Sequence, residues 1–151
     1  MSSLATIRRD SWNLPRFLHV LGAMILVGGT FAAVTFLALA RGRPELLRLG
    51  YLALLAVALP GWVLMFVGAE WSYRREGLAE EPIDSAWVLV GFLVAEIGGA
   101  LLLVSLVLGG IGVRRLAGGR GALLMRVTLA ISLLLLVSYA VAVWAMTAKP
   151  D

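Results

Sequence analysis

One carboxylate interrupts an otherwise apolar run. In the 29 residues 85–113, Glu96 is the single charged side chain. An ionised acid inside a hydrocarbon-length segment is expensive, and acids of this kind usually face a bundle interior. Two chemistries follow from that placement. One is a proton relay or cation site; the other is a protonated, hydrogen-bonded structural acid. No Lys or Arg lies within another apolar run to pair with it. The hydrogen-bonding candidates are Thr30, Thr35, Ser132, Ser138, Tyr139 and the backbone carbonyl of Ala56.

His19 is the only histidine. A haem b held between two helices needs a second axial ligand, for which a methionine can stand. Soft thioethers also favour Cu(I), so His19 with Met65 or Met146, toward the same half, defines a haem or copper alternative, while Met24 lies about 140° round the helix from His19. Against it stands the plainer role of an interfacial hydrogen-bonding group. Glu70 and Trp71 end the second apolar run on the same side as His19. Helices that face one another there would form a mouth of His19, Glu70 and Trp87, with Glu96 deeper. The chain has no cysteine, which removes disulfides, thiolate metal sites, iron–sulfur clusters and cysteine nucleophiles. Gly118-Gly119-Arg120-Gly121 lacks the strand–turn–helix setting of a phosphate loop and reads as an interspan loop. No catalytic set is visible, and the reading is non-enzymatic.

Such residues need long apolar elements to carry them, and the composition supplies these. Hydrophobic residues make up 61% and charged residues 15% of the 151. A soluble domain has nearer half apolar and a quarter charged. Residues 17–40, 49–69 and 127–148 contain no Asp, Glu, Lys or Arg, giving runs of 24, 21 and 22 residues. A bilayer core of ~30 Å needs ~20 helical residues. With the run around Glu96 this makes four spans, at 14–40, 49–71, 85–111 and 123–147. The expected fold is all-α, an integral membrane antiparallel four-helix bundle forming a single membrane domain. A water-soluble globule, a disordered chain and a nucleic-acid-binding domain are excluded, despite a pI of 10.3. Arg8, Arg9, Arg16 and Ala38-Leu39-Ala40 have the flavour of a secretion signal, but the apolar stretch between them exceeds the ~7–15 residues of a signal core. It is read as a retained span.

Local signals fall inside these limits. Pro15 suits a first helical turn. Gly42 and Pro44 mark the exit from the first span. Pro60, in the middle of the second, cannot donate to the Ala56 carbonyl, so a kink is expected there. Gly91, Ala95 and Gly99 recur every four residues, and Gly28 with Ala32 and Gly29 with Ala33 do likewise. Such small-residue faces let helices approach closely in lipid. The stripe of Gly91, Ala95 and Gly99 is also the interface expected if the chain is a structural subunit.

Charge gives a weak orientation. The side of the termini carries six basic residues and the other side seven, so the positive-inside count nearly ties. The seven are Arg41, Arg43, Arg48, Arg114, Arg115, Arg120 and Arg126, in short loops with one acid, Glu45. The basic loops are therefore read as inside and both termini as outside. Trp12, Trp71, Trp87 and Trp144 fall at the terminal ends as half of an aromatic belt, with Trp62 deep in the second span.

The opening span, FLHVLGAMILVGG from Phe17 to Gly29, resembles the "LH-x-LGA…GG" opening of a group of bacterial predicted integral membrane proteins of unknown function. The similarity continues through the basic exit, Leu59-Pro60 with Gly68, and Ala86-Trp87. It ends in WAMTAKP, which is similar to that group's closing "M-x-x-KP". The resemblance implies a four-helix protein of the bacterial inner membrane and brings no activity. The same opening looks like spans of copper-resistance proteins and small haem-linked membrane oxidoreductases, although this chain lacks their further histidines. The leading expectation is a non-enzymatic binding, permeation or accessory module with Glu96 in its core. The alternatives are a haem- or copper-associated redox protein using His19, and a structural subunit. Its surroundings are the lipid bilayer and a membrane-protein partner or a second copy, not nucleic acid.

Overall fold

The computed structural model describes residues 13–75 and 86–148, and everything in these segments that is regular is helical. α1 is Asn13–Leu39, α2 is Pro44–Ala53, α3 is Leu59–Arg75, α4 is Ala86–Arg115 and α5 is Ala122–Ala148. A π-helical turn, Leu54–Ala58, joins α2 to α3 into one long helix. Four helices are thus long and apolar enough to cross a membrane. The protein is an all-α, multi-pass membrane protein. Trp12, Asp84, Ser85, Lys149 and Pro150 lie outside the described residues, as do the side chains of Asn13, Trp87 and Met146.

The second spanning helix begins at Pro44, five residues before the sequence boundary of 49. A proline lacks the N–H that a helix start leaves unpaired, so it ends one helix and starts the next equally well. Arg43 before it is extended (φ −74°, ψ 115°), as the proline ring demands. The reversal itself uses left-handed backbone at Arg41 (φ 42°) and Gly42 (φ 87°), closed by the Arg43 N–H donating to the Ala40 carbonyl at 2.7 Å. Distortion ahead of Pro60 takes the form of the π turn. There the Leu59 N–H donates five residues back, to Leu54. The wider turn makes room for a ring that would otherwise strike the preceding turn. The ring of Pro60 itself is exposed.

α1 packs along the second spanning helix, and α4 packs along α5. The first seam is a near backbone-to-backbone contact. A Cβ placed at Gly22 would strike the Met65 backbone, and one at Gly29 would sit 2.7 Å from the Ala58 nitrogen. Gly61 meets Leu26, and Gly68 meets His19 and Pro15. Residue numbers rise on one helix as they fall on the other. Gly28, expected to share in this packing, has nothing within 4 Å and is exposed. One residue is 100° of helix, enough to turn it from the seam to the outside.

Leu26, Ala33, Leu54, Leu102 and Leu135 form the centre of the core. Ser105 and Ser132 face each other across α4 and α5 at 3.5 Å, both fully buried. Tyr51 lies against Gly109 and Gly110. That contact puts the start of the second spanning helix beside the end of α4, so the two arginine-rich connections share one end of the bundle.

Candidate functional site

At the opposite end, all four spanning helices border a half-open cavity of about 400 Å³. Its wall is overwhelmingly apolar, with Ala23, Leu26 and Val27 from α1 and Met65, Phe66 and Ala69 from α3. α4 adds Gly91, Phe92, Val94 and Ala95, and α5 adds Tyr139, Ala142 and Val143. The space exists because α3 and α4 are held apart. They meet through Trp62, whose Nε1–H donates to the Ala95 carbonyl at 3.0 Å, and through an edge-to-face contact of Tyr73 with Phe92 at 5.2 Å. The Trp62 ring also stacks on Phe66 at 5.3 Å and fills the notch over Gly99. Trp62 is therefore a spacer between helices rather than an interfacial anchor.

The stripe of Gly91, Ala95 and Gly99 faces into the bundle. Gly91 and Gly99 are buried, Gly99 lies under Trp62, and Gly91 and Ala95 line the cavity. The small residues receive an indole and leave a void.

His19 lies in the cavity wall. Its Nδ1 is 3.0 Å from the carbonyl oxygen of Met65. A carbonyl can only accept, so Nδ1 carries the proton and donates, and Nε2 is the ring nitrogen left for another partner. The close approach of α1 and α3 at Gly68 brings the ring to that carbonyl. Arg16, one turn earlier, and Glu70 are also part of the lining. Glu70 accepts from the Arg74 Nε–H at 2.7 Å in an exposed i,i+4 pair, worth only ~0.3–0.5 kcal/mol. The Arg75 guanidinium stands 5.1 Å over the Trp71 ring. His19 and Glu70 thus share one cavity.

Glu96 does not join them. It is absent from the cavity lining and exposed on the outside of α4. Four of the five hydroxyls named above as its partners are engaged elsewhere. Thr30 donates to Leu26, Thr35 to Phe31, Ser132 to Thr128 and Ser138 to Leu134, each within its own helix. Met24 is 68% exposed, so it does not share a metal site with His19. Met65, by contrast, is buried in the cavity wall. Among the described residues no group of three His, Cys, Asp or Glu side chains is gathered as a metal site would require.

Tyr139 had only a supporting place in the sequence reading. It is 4% exposed, borders the cavity, and its hydroxyl has no hydrogen-bond partner among the described residues. An unpaired buried hydroxyl costs about 1–3 kcal/mol. A lone tyrosine amid aliphatic residues was the available signal, but nothing in the sequence tells which way it faces.

Compared with known protein families, curated proteins and solved structures, the chain matches none.

Proposed function

We propose that the protein is a non-enzymatic membrane module that binds a lipid-soluble small molecule in this cavity. The observation that carries the reading is an apolar void of about 400 Å³ among four helices, with Tyr139 and His19 as polar fixtures in its wall. Apolar pockets with a few convergent polar groups are the usual form of small-molecule sites. The Tyr139 O–H lacks an acceptor among the described residues, and the Nδ1–H bond of His19 leaves Nε2 for a ligand. The fitting ligand is a largely apolar molecule with a carbonyl or similar acceptor, of which a naphthoquinone is a simple probe. Titrating menadione into detergent-purified protein tests this. Saturable binding should be abolished by Ala69→Phe, which fills the void, and weakened roughly fivefold to tenfold by Tyr139→Phe, the value of one hydrogen bond. Equal, unsaturable partitioning into all three proteins would refute it.

A second reading is favoured by the His19–Met65 bond. Histidines that ligate metals typically donate their other ring N–H to a carbonyl or carboxylate, leaving the second nitrogen for the metal. His19 has that disposition. A haem b, or copper, would bind through His19 Nε2. An absorption spectrum with metal analysis separates the readings: a Soret band or stoichiometric copper lost in His19→Ala supports this one.

We infer that the arginine-rich connections face the cytoplasm of a bacterial inner membrane, which puts the cavity end and both termini outside. Permeation through the bundle is not part of the proposal, since Glu96 stands away from the cavity.

A further inference from the structure

Glu96 is the least expected feature of the surface. It is the eleventh residue of α4, about 15 Å along the helix from Ala86 and about 27 Å from Arg114, at ~1.5 Å per residue. Its side chain is therefore at hydrocarbon depth, exposed, and without a hydrogen-bond partner among the described residues. Lipid tails offer a carboxyl group nothing, and polar groups in hydrocarbon are costly unless paired. Nothing on the other three spanning helices reaches it. The described residues supply no partner, which points to a partner from another molecule.

We propose that the outer face of α4 is the contact between two copies of this chain, with Glu96 bonded to Glu96 of the partner subunit. Three features of the face point to a second copy. Leu93, Glu96, Ala100, Leu103 and Val107 follow in steps of three, four, three and four residues, and all are exposed. That is the a/d seam of a left-handed helix pair, the commonest packing of helices in membranes. Ala100, next along the seam from Glu96, allows the helices to come close. Finally, a symmetric pair of copies inserted in the same orientation is related by a two-fold axis along the membrane normal. Such an axis brings each residue opposite itself at the same depth. A protonated carboxyl group both donates and accepts, so a Glu96 pair satisfies itself with two O–H···O bonds. This contact is distinct from the cavity, which lies on other faces of α4, and does not depend on the ligand reading.

The test uses the full chain in lipid vesicles, with energy transfer between labelled copies measured as the protein is diluted with lipid. Wild type should associate, and Glu96→Gln, whose amide also donates and accepts, should associate comparably. Glu96→Leu should associate roughly tenfold more weakly, the scale of interhelical polar bonds in membranes. The absence of native cysteines permits a positional check. Ala100→Cys should cross-link on oxidation, while Val137→Cys, exposed on α5, should not. Because Glu96 faces outward, its replacement by leucine should leave the helical spectrum unchanged. Monomeric wild type at all densities, association unaltered in Glu96→Leu, or cross-linking through Val137 in place of Ala100 would each overturn the proposal.

Discussion

His19 on α1 donates its Nδ1–H to the backbone carbonyl of Met65 on α3 across a separation of 3.0 Å. This bond ties two helices at the rim of the cavity and sets the tautomer that leaves Nε2 open. The Met65 carbonyl is otherwise an ordinary helical acceptor, so the bond uses its second lone pair. His19→Leu should cost about 1 kcal/mol, the net value of one such bond. Thermal unfolding in detergent reads that as a drop of a few degrees, and an unchanged midpoint would show that the bond contributes nothing.

The α1–α3 seam predicts opposite outcomes for adjacent glycines. Gly29→Leu would drive a side chain into the Ala58 backbone and should destabilise by 3 kcal/mol or more, beyond ordinary overpacking. Gly28→Leu meets open space and should stay within about 0.5 kcal/mol of wild type. Chemical denaturation of the two variants checks the pair. Similar losses in both would mean that the helix is rotated from the position described.

Gly99 and Trp62 should behave as a coupled pair. A Cβ at Gly99 would collide with the indole ring. Gly99→Ala alone should lose about 1–3 kcal/mol. In a Trp62→Leu background the same substitution should lose markedly less, a coupling of at least about 0.5 kcal/mol. Additive losses would show that the indole does not occupy that notch.

The spans were legible because lipid imposes a length that uncharged runs either meet or miss. Their edges were less so, since Pro44 satisfies the demands of a stop and of a start. The direction of Glu96 was not legible at all. α4 is apolar around its whole circumference, so no polar face marks which side is out, and a rule for typical intramembrane acids gave the inward placement. The cavity was hidden for a related reason. Gly91 and Ala95 signal close packing in any membrane helix, and only the position of Trp62 turns that closeness into empty space. His19 and Glu70, near one surface, could be grouped from depth alone.

Orientation can be read with single cysteines, because the chain has none of its own. With the arginine-rich ends cytoplasmic, Gly118→Cys in intact cells should resist a membrane-impermeant maleimide and Arg74→Cys should react. The reverse pattern would invert the topology and place the cavity mouth on the cytoplasmic side.

The most direct test of the cavity as a binding site is photolabelling with a lipid-soluble diazirine, with and without excess menadione, followed by peptide mapping. Adducts at Ala23, Phe66, Val94 and Ala142 should fall when menadione is present, while adducts on outward residues such as Val63 and Val137 should not change. Labelling confined to outward residues, or insensitive to menadione everywhere, would contradict a ligand site between these four helices.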